Sequence, residues 1–290
     1  MSTRNLLNLG LAILALVLVL VVIYKPGLEP EAIPQSITTL AGTDEVTSIH
    51  IERDTRPPLS FIKRDGNWYL SGKAGDRPAA EFQVQALLRV LQATSANSYP
   101  ADSLDLGSLG LQPPQATVTL GTVEILFGAT EALEDRRYVQ INKSVYLIND
   151  QYQHLITAER SNFIARKLLA GRGVITRLEL PDKTLAYTED KQWQLTPEDN
   201  EVSADAVQQL VDNWQNATAM YVRDYDGKET EESINLHTRD QDDPVTLGII
   251  SRTPHLILAR PDWGIQYHMP DNIENTLFTL QQPVPQPEEQ

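Results

Sequence analysis

The chain of 290 residues has no cysteine. Disulfides and lipid attachment at a cysteine are therefore excluded. Disulfides are optional in a body of this size, so the compartment stays open. The five histidines, His50, His154, His237, His255 and His268, are scattered, with no His-x-x-x-His pair. Zinc needs three or four converging ligands at close spacing, and this pattern offers none. There is no Gly-x-Ser-x-Gly elbow, since Gly107-Ser108-Leu109-Gly110 has the wrong spacing, and no glycine-rich phosphate loop. Asp240-Gln241-Asp242-Asp243 invites a calcium reading, but Val245 and Ser251 stand where a calcium loop needs Gly and Glu. Basic residues are also the minority charge, 24 Lys and Arg against 39 Asp and Glu, for a net charge of −15. That field repels nucleic acid, which is not an expected partner. Solubility accounts for the acidity, with a basic partner as the alternative. No catalytic residue, cofactor or metal is expected.

What the chain does have is the same passage twice. Gly66-Asn67-Trp68-Tyr69-Leu70 precedes a stretch with Val84, Leu87, Leu88 and Leu91. Lys191-Gln192-Trp193-Gln194-Leu195 precedes one with Val207, Leu210, Val211 and Trp214. Both stretches space apolar residues at i, i+3, i+4 and i+7, the stripe a helix needs to bury one face. A small difference in the intervening loops costs little, because loop-closure entropy grows slowly with length. The sequence predicts one structural unit duplicated in tandem.

Leu6 to Tyr24 is apolar apart from Asn8. Its length, about 28 Å as a helix, approaches the ~30 Å hydrocarbon core. It reads as an uncleaved anchor or as a secretory signal. The bulky exit Val21-Val22-Ile23-Tyr24-Lys25 lacks a small-x-small cleavage pair and favours the anchor. Arg4 before the span and Lys25 after it give a narrow charge preference, and the short N-terminal tail supports the same orientation. The expectation is a single-pass membrane protein with the N-terminus cytoplasmic; in a bacterium that is the inner membrane, with the body periplasmic.

Residues 1–25 form the expected anchor and residues 26–45, with Pro26, Pro30 and Pro34, a stalk. Residues 46–170 form the first unit. It opens as a meander in which Asp65-Gly66 marks a tight hairpin, and continues with a helix from about Ala79 to Thr94. Further strands follow, then a helical end over Gln151 to Leu169. Gly171-Arg172-Gly173 separates the copies, and residues 174–280 repeat the order with Ser203 as N-cap of a helix ending near Ala219. Residues 281–290, with Pro283, Pro285 and Pro287, read as a disordered tail. The expected fold class is α+β: an N-terminal transmembrane helix, then two units, each a mostly antiparallel sheet with one main packed helix.

Trp68 and Trp193 could be stacking platforms, but recurrence at the same point of a duplicated fold makes them core anchors. Trp214 falls on a core position of its helix. Trp263, in Pro261-Asp262-Trp263-Gly264, lies in an expected turn and is a candidate contact residue, with Gly171 and Gly173 as candidate hinge positions.

An N-terminal apolar span, the Asp-Gly-x-Trp-x-Leu hairpin, the Val-x-x-Leu-Leu-x-x-Leu helix, Phe127-Gly128 and Tyr138-Val139 resemble the DUF4340 family of bacterial envelope proteins. The likeness covers most of residues 46–280, with Leu247-Gly248 in the more diverged second copy where the first has Phe127-Gly128. The resemblance implies membrane anchoring and association with ABC transporters of the gliding-motility auxiliary type. It carries over no catalytic residues. The leading expectation is a non-enzymatic envelope protein, an accessory or interaction subunit contacting ABC permease and ATPase subunits. The alternative is a binding protein holding a lipid or glycan between the two units, with Gly171 to Gly173 as hinge. An enzyme built from dispersed carboxylates is the third reading.

Overall fold

The computed structural model describes residues 3–24, 34–38, 43, 45–72, 75–131 and 135–280. Most of the expected stalk and the whole of the expected tail lie outside the described residues. The N-terminal helix α1 spans Thr3–Tyr24, with side chains described for residues 10–20. Among the described residues, no helix is long and apolar enough to cross a membrane. The expected N-terminal transmembrane helix is therefore not shown.

The first unit begins with β1 (Gln35–Ser36), β2 (Ser48–Arg53), β3 (Arg56–Arg64), β4 (Asn67–Leu70) and β5 (Arg77–Pro78). After helix α2 (Glu81–Leu88) come β6 (Thr94–Ser95), β7 (Ser98–Pro100), β8 (Ala116–Leu120), β9 (Val123–Thr130), β10 (Arg136–Ile141), β11 (Ser144–Asn149) and α3 (Gln153–Ile156). The second unit holds β12 (Ile175–Glu179), β13 (Thr184–Tyr187), β14 (Trp193–Thr196), α4 (Ala204–Asn216) and β15 (Tyr221–Asp224). It closes with β16 (Glu232–Thr238), β17 (Gln241–Ser251), β18 (Ile257–Arg260), β19 (Ile265–His268) and α5 (Ile273–Phe278).

The duplication appears in the sheet order. The first sheet runs β5-β4-β3-β2-β8-β9-β10-β11-β7, and the second β14-β13-β12-β16-β17-β18-β19-β15. Strand for strand the two orders agree, except that the first sheet has β5 added beyond β4. Every pairing is antiparallel. The hairpin from β3 to β4 turns on Asp65 (φ 49°) and Gly66 (φ 80°), left-handed backbone that matches strand twist in a tight turn. Alternation then does the sorting: β8 buries Ala116, Val118 and Leu120 and turns Thr117 and Thr119 outward.

The expected α+β balance is corrected. Three antiparallel sheets dominate, and the helices are few and mostly short. The predicted helix over Ala79 to Thr94 survives as α2 and one 3-10 turn (Arg89–Gln92), because its ends are pulled into strand pairing. Ala79 donates to the Trp68 carbonyl (2.8 Å) and Ala80 to Phe163 (2.7 Å). At the other end Thr94 and Ser95 pair with β1. The helical end predicted over Gln151 to Leu169 reduces to the four residues of α3 and a 3-10 turn at Arg160–Phe163. Beyond that turn, Ala165 donates to the Pro78 carbonyl (2.8 Å) and Leu168 to the Ala217 carbonyl (3.1 Å). Backbone groups engaged by neighbours cannot also close helical turns.

Helix α4 keeps the predicted form. Ser203 caps it by accepting from the Ala206 N–H (3.2 Å), and Val207, Leu210, Val211 and Trp214 form its buried stripe. It stops at Asn216 rather than Ala219, because Ala217 to Ala219 pair with the segment from Arg166 to Leu168. That pairing joins the units, and the buried apolar residues of both sheets form one continuous cluster.

Candidate functional site

The join brings together residues that lie far apart in the chain. Besides the backbone pairing, Arg260 at the end of β18 is fully buried, and its Nη1 donates to the Leu168 carbonyl at 2.8 Å. Asp262 follows on a 3-10 turn (Pro261–Trp263), its carboxylate 3.4 Å from Arg260 Nε. Trp263 on the same turn is half-buried, with the Arg260 guanidinium carbon 3.4 Å from its ring centroid and that of Arg77 at 5.3 Å. Arg77 reaches across from β5 of the first unit and donates from Nη2 to the Asp262 carbonyl at 2.7 Å. The predicted turn and contact residue are thus at the junction, but the ring serves as the floor for two guanidinium groups.

The electrostatics run against the chain's overall charge. Burial pushes the Arg77 guanidinium below its ordinary pKa; Asp262 opposes that shift, while Arg260, Arg160 and Arg172 add to it. Arg172 is lowered by burial and by Arg260, against Asp262 and Asp243. Arg160 is lowered by burial and raised by Asp224. Arg77 thus feels three other guanidinium groups across the junction, with Asp262 the carboxylate common to Arg77 and Arg172. Inside this cluster, Arg260 Nε and Nη2 and the Tyr267 hydroxyl are buried and make no well-formed hydrogen bond among the described residues, although Asp262 lies near Nε and the Arg260 charge acts on Tyr267. Burial raises the Tyr267 pKa.

The two glycines occupy the linker beside this cluster. Gly171 takes φ +73°, a left-handed conformation open to glycine at little cost. Gly173 lies beneath Asp240, whose carboxylate occupies the place where a Cβ would stand. Among the described residues, no group of three or more His, Asp or Glu could hold a metal ion.

On the surface of the same junction, Phe82, Met220 and Tyr221 line a groove of about 370 Å³ together with Arg166. Phe82 is 70% exposed, Met220 51% and Tyr221 41%. None of the arginines or these three apolar residues was a sequence candidate. Arg260 flanks Pro261-Asp262-Trp263, so its proximity to Trp263 was readable; the approach of Arg77 from 186 residues away was not.

A family model described as a domain of unknown function, DUF4340, matches residues 68–240. The chain belongs to the DUF4340 family. The DUF4340 match begins at Trp68 in β4 and ends at Asp240 beyond β16, so it runs through the linker between the units and includes Trp68 and the whole Trp193 hairpin. No curated protein and no solved structure matches the chain.

Proposed function

We propose that this DUF4340 protein is a non-enzymatic interaction subunit of the bacterial envelope, its body periplasmic, accessory to an ABC transporter system. The observation that carries the interaction reading is the groove at the junction of the two units. Aromatic residues, Met and Arg are the types enriched where partners dock, and Phe82, Met220, Tyr221 and Arg166 line it together. An uncovered cluster of this kind marks an interaction site more often than chance exposure does. The choice of transporter as partner rests on the family resemblance. Mild crosslinking in cells followed by purification and mass spectrometry tests it. Recovery of permease and ATPase subunits supports the reading; recovery of the protein alone sinks it.

A second reading, a binding protein holding a lipid or glycan between the units, is favoured by the arginine cluster. Its local positive charge suits an anionic headgroup or an acidic sugar. Gly171 and Gly173 would be the hinge in that reading. Native mass spectrometry of freshly purified protein distinguishes it, since a bound anionic molecule adds a discrete mass.

A further inference from the structure

The one place where the two sheet orders disagree points to a missing strand. In the first unit, β5 pairs with β4 through Tyr69↔Pro78 and Leu70↔Arg77, and Ala79 extends the pairing by donating to the Trp68 carbonyl. The segment lies along β4 just before α2, and Trp68 is left 2% exposed. In the second unit the corresponding strand, β14, pairs with β13 alone among the described residues. The registers correspond: Lys63↔Trp68 and Phe61↔Leu70 in one hairpin, Tyr187↔Trp193 and Leu185↔Leu195 in the other. Thr188 donates to the Gln192 carbonyl at 2.9 Å, so Gln192 and Gln194 turn their backbone groups toward β13. The backbone groups of Trp193 and Leu195 then face outward, as those of Trp68 and Leu70 do toward β5.

The second unit's own connection leaves this edge uncovered among the described residues. Ten residues (71–80) lead from β4 to α2, long enough to turn back and pair; seven (197–203) lead from β14 to α4. The uncovered edge opens on a groove of about 500 Å³ that runs from Trp193 and Leu195 to Val207 of α4. Its walls carry Asp190, Glu198 and Asp199 and no Lys or Arg. Trp193 is half-buried, and its ring lies edge-on to Tyr187 at 5.2 Å.

We propose that the β14 edge accepts an extended, basic peptide segment of a partner protein as an added antiparallel strand, in the position that Arg77 and Pro78 occupy in the first unit. The unpaired backbone of Trp193 and Leu195 supplies the hydrogen bonds, the acidic walls select Lys or Arg, and the added strand covers Trp193. This inference is independent of the junction reading and uses the opposite end of the second sheet.

The test uses the full chain and an alternating Lys-Val octapeptide, with hydrogen exchange as readout. Binding is expected to slow exchange at the Trp193 and Leu195 amides and to leave Trp68 and Leu70 unchanged. A peptide of the same sequence, N-methylated at alternate residues, loses its donors and is expected to bind about tenfold or more weakly. The double variant Glu198→Lys and Asp199→Lys should lower affinity several-fold while the amide pattern of the free protein stays the same. Equal binding of the methylated peptide, protection elsewhere only, or no binding at millimolar peptide would each overturn the proposal. So would protection of β14 in the free protein that rises with protein concentration, which would assign the edge to a second copy of the chain.

Discussion

Arg260 rests on Trp263, its guanidinium carbon 3.4 Å from the ring centroid, while its Nη1 holds the Leu168 carbonyl of the other unit at 2.8 Å. One fully buried side chain thus closes the turn at Trp263 and ties the second sheet to the linker that leaves the first. A delocalised, planar cation suits both contacts at once, which an ammonium does not.

Arg260→Ala is expected to cost about 3 kcal/mol, because it strands the Leu168 carbonyl and leaves a cavity beneath Trp263. Arg260→Lys should recover less than half of that. Urea denaturation followed by tryptophan fluorescence and by far-UV circular dichroism measures both. In the Ala variant the two probes are expected to separate, because the units no longer unfold as one.

The two tryptophan hairpins should respond differently. Trp68 is 2% exposed and Trp193 lies at the open edge. Trp68→Ala is expected to cost about 3–5 kcal/mol, the range for a buried aromatic, and Trp193→Ala clearly less. Acrylamide quenching of single-tryptophan variants should rank Trp193 as more accessible than Trp68.

A buried ion pair sets an acid limit on the first unit. Arg137 is 2% exposed and donates to Asp150 Oδ2 at 2.8 Å, with Asp150 itself 8% exposed. Burial works against the Asp150 carboxylate, but hydrogen bonds from Arg137 and Thr130 outweigh it and hold the pKa below its ordinary value. A carboxylate depressed on folding stabilises fully above its unfolded pKa, and that contribution is lost as pH falls through the folded pKa. Stability should therefore fall below about pH 4, where carboxylates begin to protonate. Asp150→Asn should flatten this pH dependence, and Asp150→Ala should cost about 3–5 kcal/mol at neutral pH by stranding Arg137. Thermal unfolding from pH 3 to pH 7 checks both.

The linker glycines separate backbone strain from crowding. Gly171→Ala forces a left-handed residue and is expected to cost about 1–2 kcal/mol. At Gly173 a methyl meets the Asp240 carboxylate, and Asp240 is exposed, so its side chain can swing away. Gly173→Ala should therefore cost less than Gly171→Ala, and pairing it with Asp240→Ala should remove most of the penalty.

The duplication was legible because it depends on local pattern. Asp65-Gly66 needs a tight turn, Trp68 and Leu70 alternate along a strand, and Val207 to Trp214 recur at helical spacing whatever surrounds them. The shortened helices were not legible, because the cause lies in pairing with remote chain. Ala80 is taken by Phe163, and Leu168 by Ala217. The candidate site divides in the same way. Trp263 and the Gly171–Gly173 linker stood out as a turn and a break, whereas Arg77, Arg172 and Phe82 acquire their setting only when the units join. The contrast between β4 and β14 also emerges only from the fold, since the two hairpins read alike and differ in what lies beside them.

Site-specific photocrosslinking in living cells tests the central claim, that the junction groove is where this protein meets its partner. A benzophenone amino acid at Phe82 samples the groove, and one at Tyr99, exposed on β7 away from it, serves as control. The account predicts an adduct from position 82, with a mass identifying a transporter subunit, and none from position 99. Adducts from neither position, or equal adducts from both, would contradict it.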